Sequence, residues 1–491
     1  MIPVVDVFAG PGGLNEGFSS FGDREVFGTV ASIEMDPVAC ETLRLRAAVR
    51  QARRHEGKIP DVYFDFVAGR LPLFELVSAP EFASHWKHAL SEVHQHELAE
   101  KTRAASNDII RAALAETLES KAPWVLVGGP PCQAYSLAGR SRRKHDVAFK
   151  DDHKHTLYRE YLNIIREFRP PVFVMENVKG ILSSQHDGGG IFQSIWRDLT
   201  EPEPGLTYQV RSFVVEGDPD ELDPADYIIR AERYGVPQAR HRVILLGVRS
   251  DLDPGQPSIL KVRPKVSVWD AIRDLPPIRS GVSTRSGGDA WEAWLTAYLE
   301  GRQELNLEDS ELKKLPKELD LGAAYLSGYR RQITGDLADW LRADAGPGVL
   351  QHTSRRHMLK DLSRYVFLAE KGRLGERPRV QELPKRLQPQ HANAQRVDAP
   401  FADRFRVQLK HNPSSTVTSH IAKDGHYYIH YDPKQMRSLS VREAARLQTF
   451  PDNYFFMGNR TQQYHQVGNA VPPYLAHQLA EVVSEILGTS S

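Results

Sequence analysis

Over its first 250 residues the chain switches repeatedly between short β-rich apolar runs and segments whose apolar residues recur at helical spacing. The runs are "PVVDVFA" (3–9), "GTVASIE" (28–34), "DVYFD" (61–65), "WVLVG" (124–128), "VFVMEN" (172–177), "YIIRAERYG" (227–235) and "RVILLGV" (242–248). Near-continuous apolar runs suit strands covered on both faces, as in a mostly parallel sheet. The segments between them, such as "LYREYLNIIREF" (157–168), carry a helical stripe. Strand and helix in alternation predict a doubly wound, Rossmann-like α/β fold.

At 491 residues the chain is longer than one hydrophobic core serves, so a second domain is expected. The alternation fails from about 250 to 430, where Pro, Gly and Arg are frequent, and returns with "RSLSVREAARLQTFP". There Ser440 and Glu443 have the spacing of a capping box. The expected organisation is one domain from 1–250 and 436–491, a polar helical insertion at 75–120, and a second, irregular domain at 251–435. Within the latter, "WEAWLTAYLE" (291–300) reads as a helix with a core-facing aromatic stripe, and "HIAKDGHYYIHYDP" (420–433) as a hairpin turned at Asp424–Gly425.

Basic and acidic residues balance at 63 each, so affinity for a polyanion must come from local patches. No run of roughly 20 apolar residues is present and the first residues form no basic leader, which predicts a soluble, cytoplasmic protein. Two cysteines, Cys40 and Cys132, make neither a disulfide framework nor a metal cluster, so no metal is expected. Cys40, in a helical stretch, reads as inert core. Cys132 follows the strand "WVLVG" within "GGPPCQAYS" and is either a small buried hydrophobe or a reactive thiol.

"DVFAGPGGLNEGF" places Gly10, Gly12 and Gly13 between a strand and a helix, where the backbone can approach a ligand. Glu34 ends the next strand 22 residues after Gly12, a position suited to ribose hydroxyls. Either an adenosine-type cofactor or a tight structural corner accounts for the glycines alone. The acid beside them favours the cofactor.

Taken in order, "DVFAGPGG", "IEMDP", "GGPPCQAYS", "MENVKG", "YGVPQARHR" and "QVGNAVPP" resemble the DNA cytosine-5 methyltransferases, with motifs in 5–249 and 437–473. The resemblance implies methyl transfer from S-adenosylmethionine to C5 of a cytosine flipped out of duplex DNA. It makes Cys132 the nucleophile at C6, since a thiolate is soft, reactive near neutral pH and able to leave. It assigns Glu176 to cytosine N3, Arg242 to the neighbourhood of the base, Arg240 a more structural part, and Asn177 the orientation of the nucleophile loop. Strand alternation would send Gln238, Arg240 and Arg242 to one face. For the cofactor it implies Phe8, Gly10, Gly12, Gly13, Glu34, Met35, Pro131 and Asn469. An acid after the third strand should meet the adenine amino group: Asp65 is chosen as the end of "VYFD", with Asp108 as the alternative, although Asp108 also reads as a helix N-cap.

Next to the nucleophile, "GRSRRKHDVAFK" (139–150) supplies Arg140, Arg142 and Arg143 as a phosphate-contacting lid. Residues 351–380 hold eight basic and three acidic residues, and Arg355, Arg356, Arg404 and Arg406, with Gln238, are the further candidates for DNA contact. The second domain stands where this family places its target-recognition domain. The expected setting is a monomeric, nucleoid-associated prokaryotic enzyme partnered with a restriction endonuclease or other defence protein. An RNA (tRNA) cytosine methyltransferase and a catalytically silent DNA-binding homologue are the alternatives, and a nucleotide-dependent oxidoreductase is a remote one.

Overall fold

The computed structural model describes residues 1–131, 157–183, 191–252, 258–283, 291–305, 319–329, 333–390 and 404–488, with 185–186 and 189–190 in backbone only. Strands β1 (Ile2–Val7), β2 (Phe27–Glu34), β3 (Val93–Gln95), β4 (Val125–Gly128), β5 (Val172–Val178), β6 (Tyr208–Arg211) and β7 (Ile228–Arg230) precede the two-residue β8 (Gln238–Ala239) and the long β9 (His241–Arg249). The main sheet runs β3-β2-β1-β4-β5-β9-β6, with β7 also paired to β9. Strands β1 to β5 pair in parallel, whereas β9 is antiparallel to its neighbours. This is the doubly wound α/β architecture expected from the alternation.

Burial explains why the apolar runs became strands. Val4, Val125, Val127 and Val174 pack on one face against Phe18 of α1 (Gly13–Ser20) and against Leu475, Leu479 and Val483 of the C-terminal helix Pro473–Ile486. Val5, Val7, Leu126 and Phe173 meet Ile110, Tyr161, Ile165 and Ile195 on the other. Strand order reverses between β1 and β4, so their carboxyl ends open a crevice of the kind that binds ligands in open α/β sheets. The glycine turn leaves from β1 and residues 129–131 leave from β4.

Several expectations are corrected. "DVYFD" is not a strand but the start of helix α3 (Asp61–Val67), which follows α2 (Pro37–Glu56). Tyr63 and Val67, four apart, are its buried residues, so helical packing prevailed over the β preference of the aromatics. Of 227–235 only Ile228–Arg230 is strand; Ala231–Tyr234 is a helical turn closed by Gly235 at φ 77°. The 75–120 segment is not purely helical, because it contains β3, the edge strand beside β2. Residues 420–433 form no hairpin. Ser419–Ala422 is a short helix, and Gly425, at φ 74°, opens a turn closed by Tyr428 N donating to Gly425 O.

Two expectations from the C-terminal half hold. Helix α4 (Trp291–Gln303) buries Trp294 and Tyr298 against α5 (Leu359–Arg373). In α6 (Val441–Leu447), Ser440 Oγ accepts from Glu443 N while Glu443 Oε2 accepts from Ser440 N, a complete capping box. The same helix carries Arg442 and Arg446 fully buried, and Arg446 pairs with both Asp274 and Asp452, fastening the C-terminal segment to the second half of the chain. No helix among the described residues is long and apolar enough to cross a membrane.

Buried histidines surround this junction. His352 Nε2 donates to Pro276 O at 2.8 Å, which leaves Nδ1 to accept from Ser440 Oγ at 2.7 Å. Burial, the largest cause in each case, lowers His352 and His430 to about 4 and His357 to about 3; His477, packed on Trp340, also falls to about 4. Each depressed value means that the unfolded chain binds the extra proton first as pH falls below about 6.5. Stability is therefore full above that pH and is lost below it, down to the folded values. At pH 5 each histidine contributes a loss of about 2 kcal/mol at most. Urea unfolding at pH 7, 6 and 5 should show a falling midpoint, and a flat profile would contradict neutral burial.

Candidate active site

The crevice is built from the glycine turn. Phe8 and Gly10 both adopt φ 55°, and Gly10 N donates to Glu34 Oε2 at 2.8 Å. Glu34 Oε1 accepts from Met35 N and Asp36 N, both at 2.9 Å, so three amides fix the carboxylate at the end of β2. Met35 next to it is an apolar side chain left 62 % exposed. A Cβ built on Gly10 meets nothing within 4 Å, whereas one on Gly12 would lie 2.7 Å from Leu43 Cδ2 and one on Gly13 2.1 Å from Val471 O. Gly10 thus faces open space, while Gly12 and Gly13 let the turn pack on the rest of the protein. Tyr454 OH closes the corner by donating to Pro11 O. Gly13→Ala should therefore destabilise the fold by about 1–3 kcal/mol, measured by thermal or urea unfolding. Beneath the turn, burial pushes the Cys40 thiol up to about 12 while its Sγ donates to Glu34 O, as inert core.

Neither candidate for the adenine contact stands where it was expected. Asp65 lies in α3 with its carboxylate held by Arg70 at 2.6 Å. Asp108 is not an N-cap: it lies within the helix Arg103–Ala113 and pairs with Arg111. The third strand is β3, and the acid that follows it is Glu97, exposed and 2.9 Å from Lys101, with Leu98 buried beside it as an anchor. Only Val93 and Leu98 carry an apolar signal in "VHQHEL", which is why the strand and its acid escaped the sequence reading. Pro131 is exposed at the end of β4, and Asn469 is exposed at the end of helix α7 (Arg460–Asn469), 3.3 Å from His465 Nδ1.

On the other side of the crevice, Asn177 is buried, and its Nδ2 donates to Pro130 O at 3.3 Å while its Oδ1 accepts from Val178 N. This ties the end of β5 to the residue two before Cys132. Cys132 itself, with Arg140, Arg142 and Arg143, lies outside the described residues. Glu176 and Arg242 meet across β5 and β9, with Nε 2.9 Å from Oε1. The N–H is not aimed at that oxygen, so this is a charge contact and not an aligned hydrogen bond. A Cβ on Gly129 would come 3.0 Å from Glu176 Oε2, so the absence of a side chain there leaves the carboxyl its room.

The three residues expected on one strand face are divided. Arg240 N donates to Gln238 O, a tight bend that separates β8 from β9. Gln238 is fully buried, bonded to Leu447 O, Gln448 Oε1 and Val417 N, and so is corrected from a DNA contact to an internal tie. Arg240 is buried, donates from Nη1 to Val417 O at 2.8 Å, and keeps Nε without a partner among the described residues. Burial first, then Arg242, lowers it to about 9. Arg242, with 17 % of its side chain exposed, is the one open to the crevice.

The other basic candidates divide in the same way. Arg355 is buried over the Tyr464 ring and donates to Lys423 O and Ile421 O, a structural role that corrects its reading as a DNA contact. Arg356 is exposed. Arg404 pairs with Asp424 at 2.7 Å, and Arg406 is half-buried.

The family model for C-5 cytosine-specific DNA methylases matches residues 70–485. The chain is 33% identical over 500 residues to the type II methyltransferase M.Bpa9945I of Bacillus paralicheniformis, covering 99% of each chain. It is 30% identical to M.AgeI of Thalassovita gelatinovora, over 73% of this chain and 82% of that one. A solved structure assigned as a DNA modification methyltransferase encoded within an E. coli prophage shares the fold, with a TM-score of 0.57 at 19% identity over 99% of this chain and 100% of the other. The chain belongs to the C-5 cytosine-specific DNA methylase family and is a DNA cytosine-5 methyltransferase.

Proposed function

We propose that the crevice between β1 and β4 holds S-adenosylmethionine on one side and the flipped cytosine on the other. The residues present fit such a cofactor: Gly10 leaves open space, Glu34 offers a fixed carboxylate for ribose hydroxyls, and Met35 offers an apolar surface for a ring. Phe8, Pro131 and Asn469 would complete the cofactor pocket, and Glu97 is taken in place of Asp65 as the acid for the adenine amino group. Bound there, S-adenosylmethionine supplies the electrophilic methyl.

In this reading Cys132 attacks C6 of the cytosine, and Glu176 meets the charge that develops at N3. Arg242 binds near the base while steering the Glu176 carboxyl, and Arg240 supports the crevice from behind through Val417 O. Arg140, Arg142 and Arg143 contact phosphates beside the nucleophile. Residues 1–250 and 436–491 form the catalytic domain and 251–435 the target-recognition domain. The observation that carries the reading is the carboxyl of Glu176 lying 2.9 Å from Arg242, with the adjacent Asn177 tied to Pro130, two residues before Cys132. Read by analogy with its type II methyltransferase relatives, the enzyme is the modification partner of an endonuclease, and it acts as a monomer when free.

The test is incubation with S-adenosylmethionine and mixed-sequence duplex DNA, followed by base-resolution mapping of 5-methylcytosine. Methylation confined to one short sequence is expected. Unmodified DNA together with methylated tRNA would overturn the DNA reading in favour of RNA.

A further inference from the structure

Residues 404–423 and 453–480 contain no Asp or Glu, in a chain where 63 of 491 residues are acidic. These two stretches pack on each other. A Cβ on Gly468 in α7 would lie 2.2 Å from Ser419 N, so the helix and the segment meet backbone to backbone. Arg355 joins their outer parts: its guanidinium lies 3.9 Å from the centre of the Tyr464 ring and donates from Nη1 to Lys423 O at 2.8 Å. One turn before Tyr464, on the same face of α7, Arg460 Nη1 donates to Ser354 O at 2.9 Å. Lys423 and Arg460 are thus fastened to adjoining residues, 355 and 354, and both are exposed. Neither forms an ion pair among the described residues, and the carboxylate next to Lys423, that of Asp424, is taken by Arg404 at 2.7 Å. Two cations on fixed backbone, with the adjacent acid already committed, are an arrangement that a polyanion completes.

The same two stretches lead back to the crevice. Val417 N donates to Gln238 Oε1 at 2.7 Å, and Val417 O accepts from Arg240 Nη1 at 2.8 Å. The short helix Ser419–Ala422 fills most of the interval from Val417 to Lys423, and α7 lies alongside, with Gly468 against Thr418 and Arg460 at its outer end. That outer end is fixed by a capping box, in which Asn459 Oδ1 accepts from Gln462 N and Gln462 Oε1 accepts from Asn459 N. At about 1.5 Å per residue the two ends of α7 stand about 14 Å apart. With about 3.4 Å between nucleotides of one strand, such a span reaches about four nucleotides from the target base.

We propose that Lys423 and Arg460 clamp the backbone of the DNA duplex, each on one phosphate, on the flank of the target base and within about four nucleotides of it. The inference rests on the DNA methyltransferase reading and adds a contact surface to it. Duplex DNA is the occupant because the acid-free surface begins at Val417, which backs the base pocket through Arg240, and a polyanion continuous with the flipped nucleotide is the one that lies along it.

The experiment measures binding of the full-length protein to a fluorescent duplex containing its methylated sequence, by anisotropy across a range of salt. Lys423→Gln and Arg460→Gln should each reduce the slope of log K against log salt by about 0.9, the value for one phosphate contact on B-DNA, and the double variant by about 1.8. Arg460→Lys should retain the slope, and S-adenosylmethionine binding should be unchanged throughout. Glutamine at 460 can still donate to Ser354 O, and thermal unfolding checks that each variant folds. Duplexes carrying one neutral methylphosphonate at successive positions then locate the contacts: substitution within about four nucleotides of the target should weaken wild type and leave the double variant unaffected at the same positions. An unchanged slope in the double variant would overturn the proposal, as would a slope change seen only on an RNA duplex, or a methylphosphonate profile that is the same in wild type and double variant. Wild-type protein that methylates no DNA would instead sink the functional reading itself, which keeps the two failures apart.

Discussion

Cys132→Ser should abolish methyl transfer, lowering turnover by more than about 10⁴-fold, while leaving DNA and cofactor binding within a few-fold of wild type. A serine hydroxyl of similar size fits the same place, yet it is scarcely ionised near neutral pH and lacks the softness that lets sulfur add to C6 and depart again. The strand end leading to this residue is held by contacts that do not involve the thiol: Asn177 bonds Pro130 O, and β4 pairs with β1 and β5. The substitution therefore separates chemistry from assembly. Single-turnover methylation with parallel equilibrium binding would check it, and turnover within about tenfold of wild type would rule out thiolate addition at this position.

What the sequence made legible was whatever repeats with a strong period or carries a motif. Val4, Val127 and Val174 declare their strands because both faces of the sheet bury them. Ser440 and Glu443 declare a helix start because the reciprocal bonds need that spacing. The failures have a common cause, which is that tertiary partners decided them. "VYFD" has β-forming residues but buries Tyr63 and Val67, one helical turn apart. "VHQ" has almost no apolar signal and becomes a strand only because β2 offers it an edge. Gln238 and Arg355 look like surface readers of DNA, yet each satisfies buried backbone groups from a segment far along the chain, Val417 for one and Ile421 for the other. Polar residue types reveal what a side chain can bond, and not whether its partner will be protein or ligand.

Glu176→Gln should lower kcat by about 10²–10⁴-fold, the range for losing one positioned acid or base. Glutamine preserves shape: its amide oxygen can still face Arg242 Nε, and its NH₂ can still donate to a ring nitrogen. It cannot deliver a proton to N3, nor can it carry a charge matched to the guanidinium 2.9 Å away. Because that contact is poorly aligned and both side chains keep some solvent exposure, its loss should alter stability little, so the effect on rate reports the chemistry. Arg242→Ala tests the same arrangement from the other side, and the double variant completes the cycle. If Glu176 acts on the base and Arg242 acts partly by steering it, removing Arg242 should cost much less in the Glu176→Gln background than in wild type. Additive losses would mean that the two residues touch the substrate independently. A Glu176→Gln enzyme within about tenfold of wild type would show that the carboxyl serves only to hold Arg242, and N3 would then need another donor.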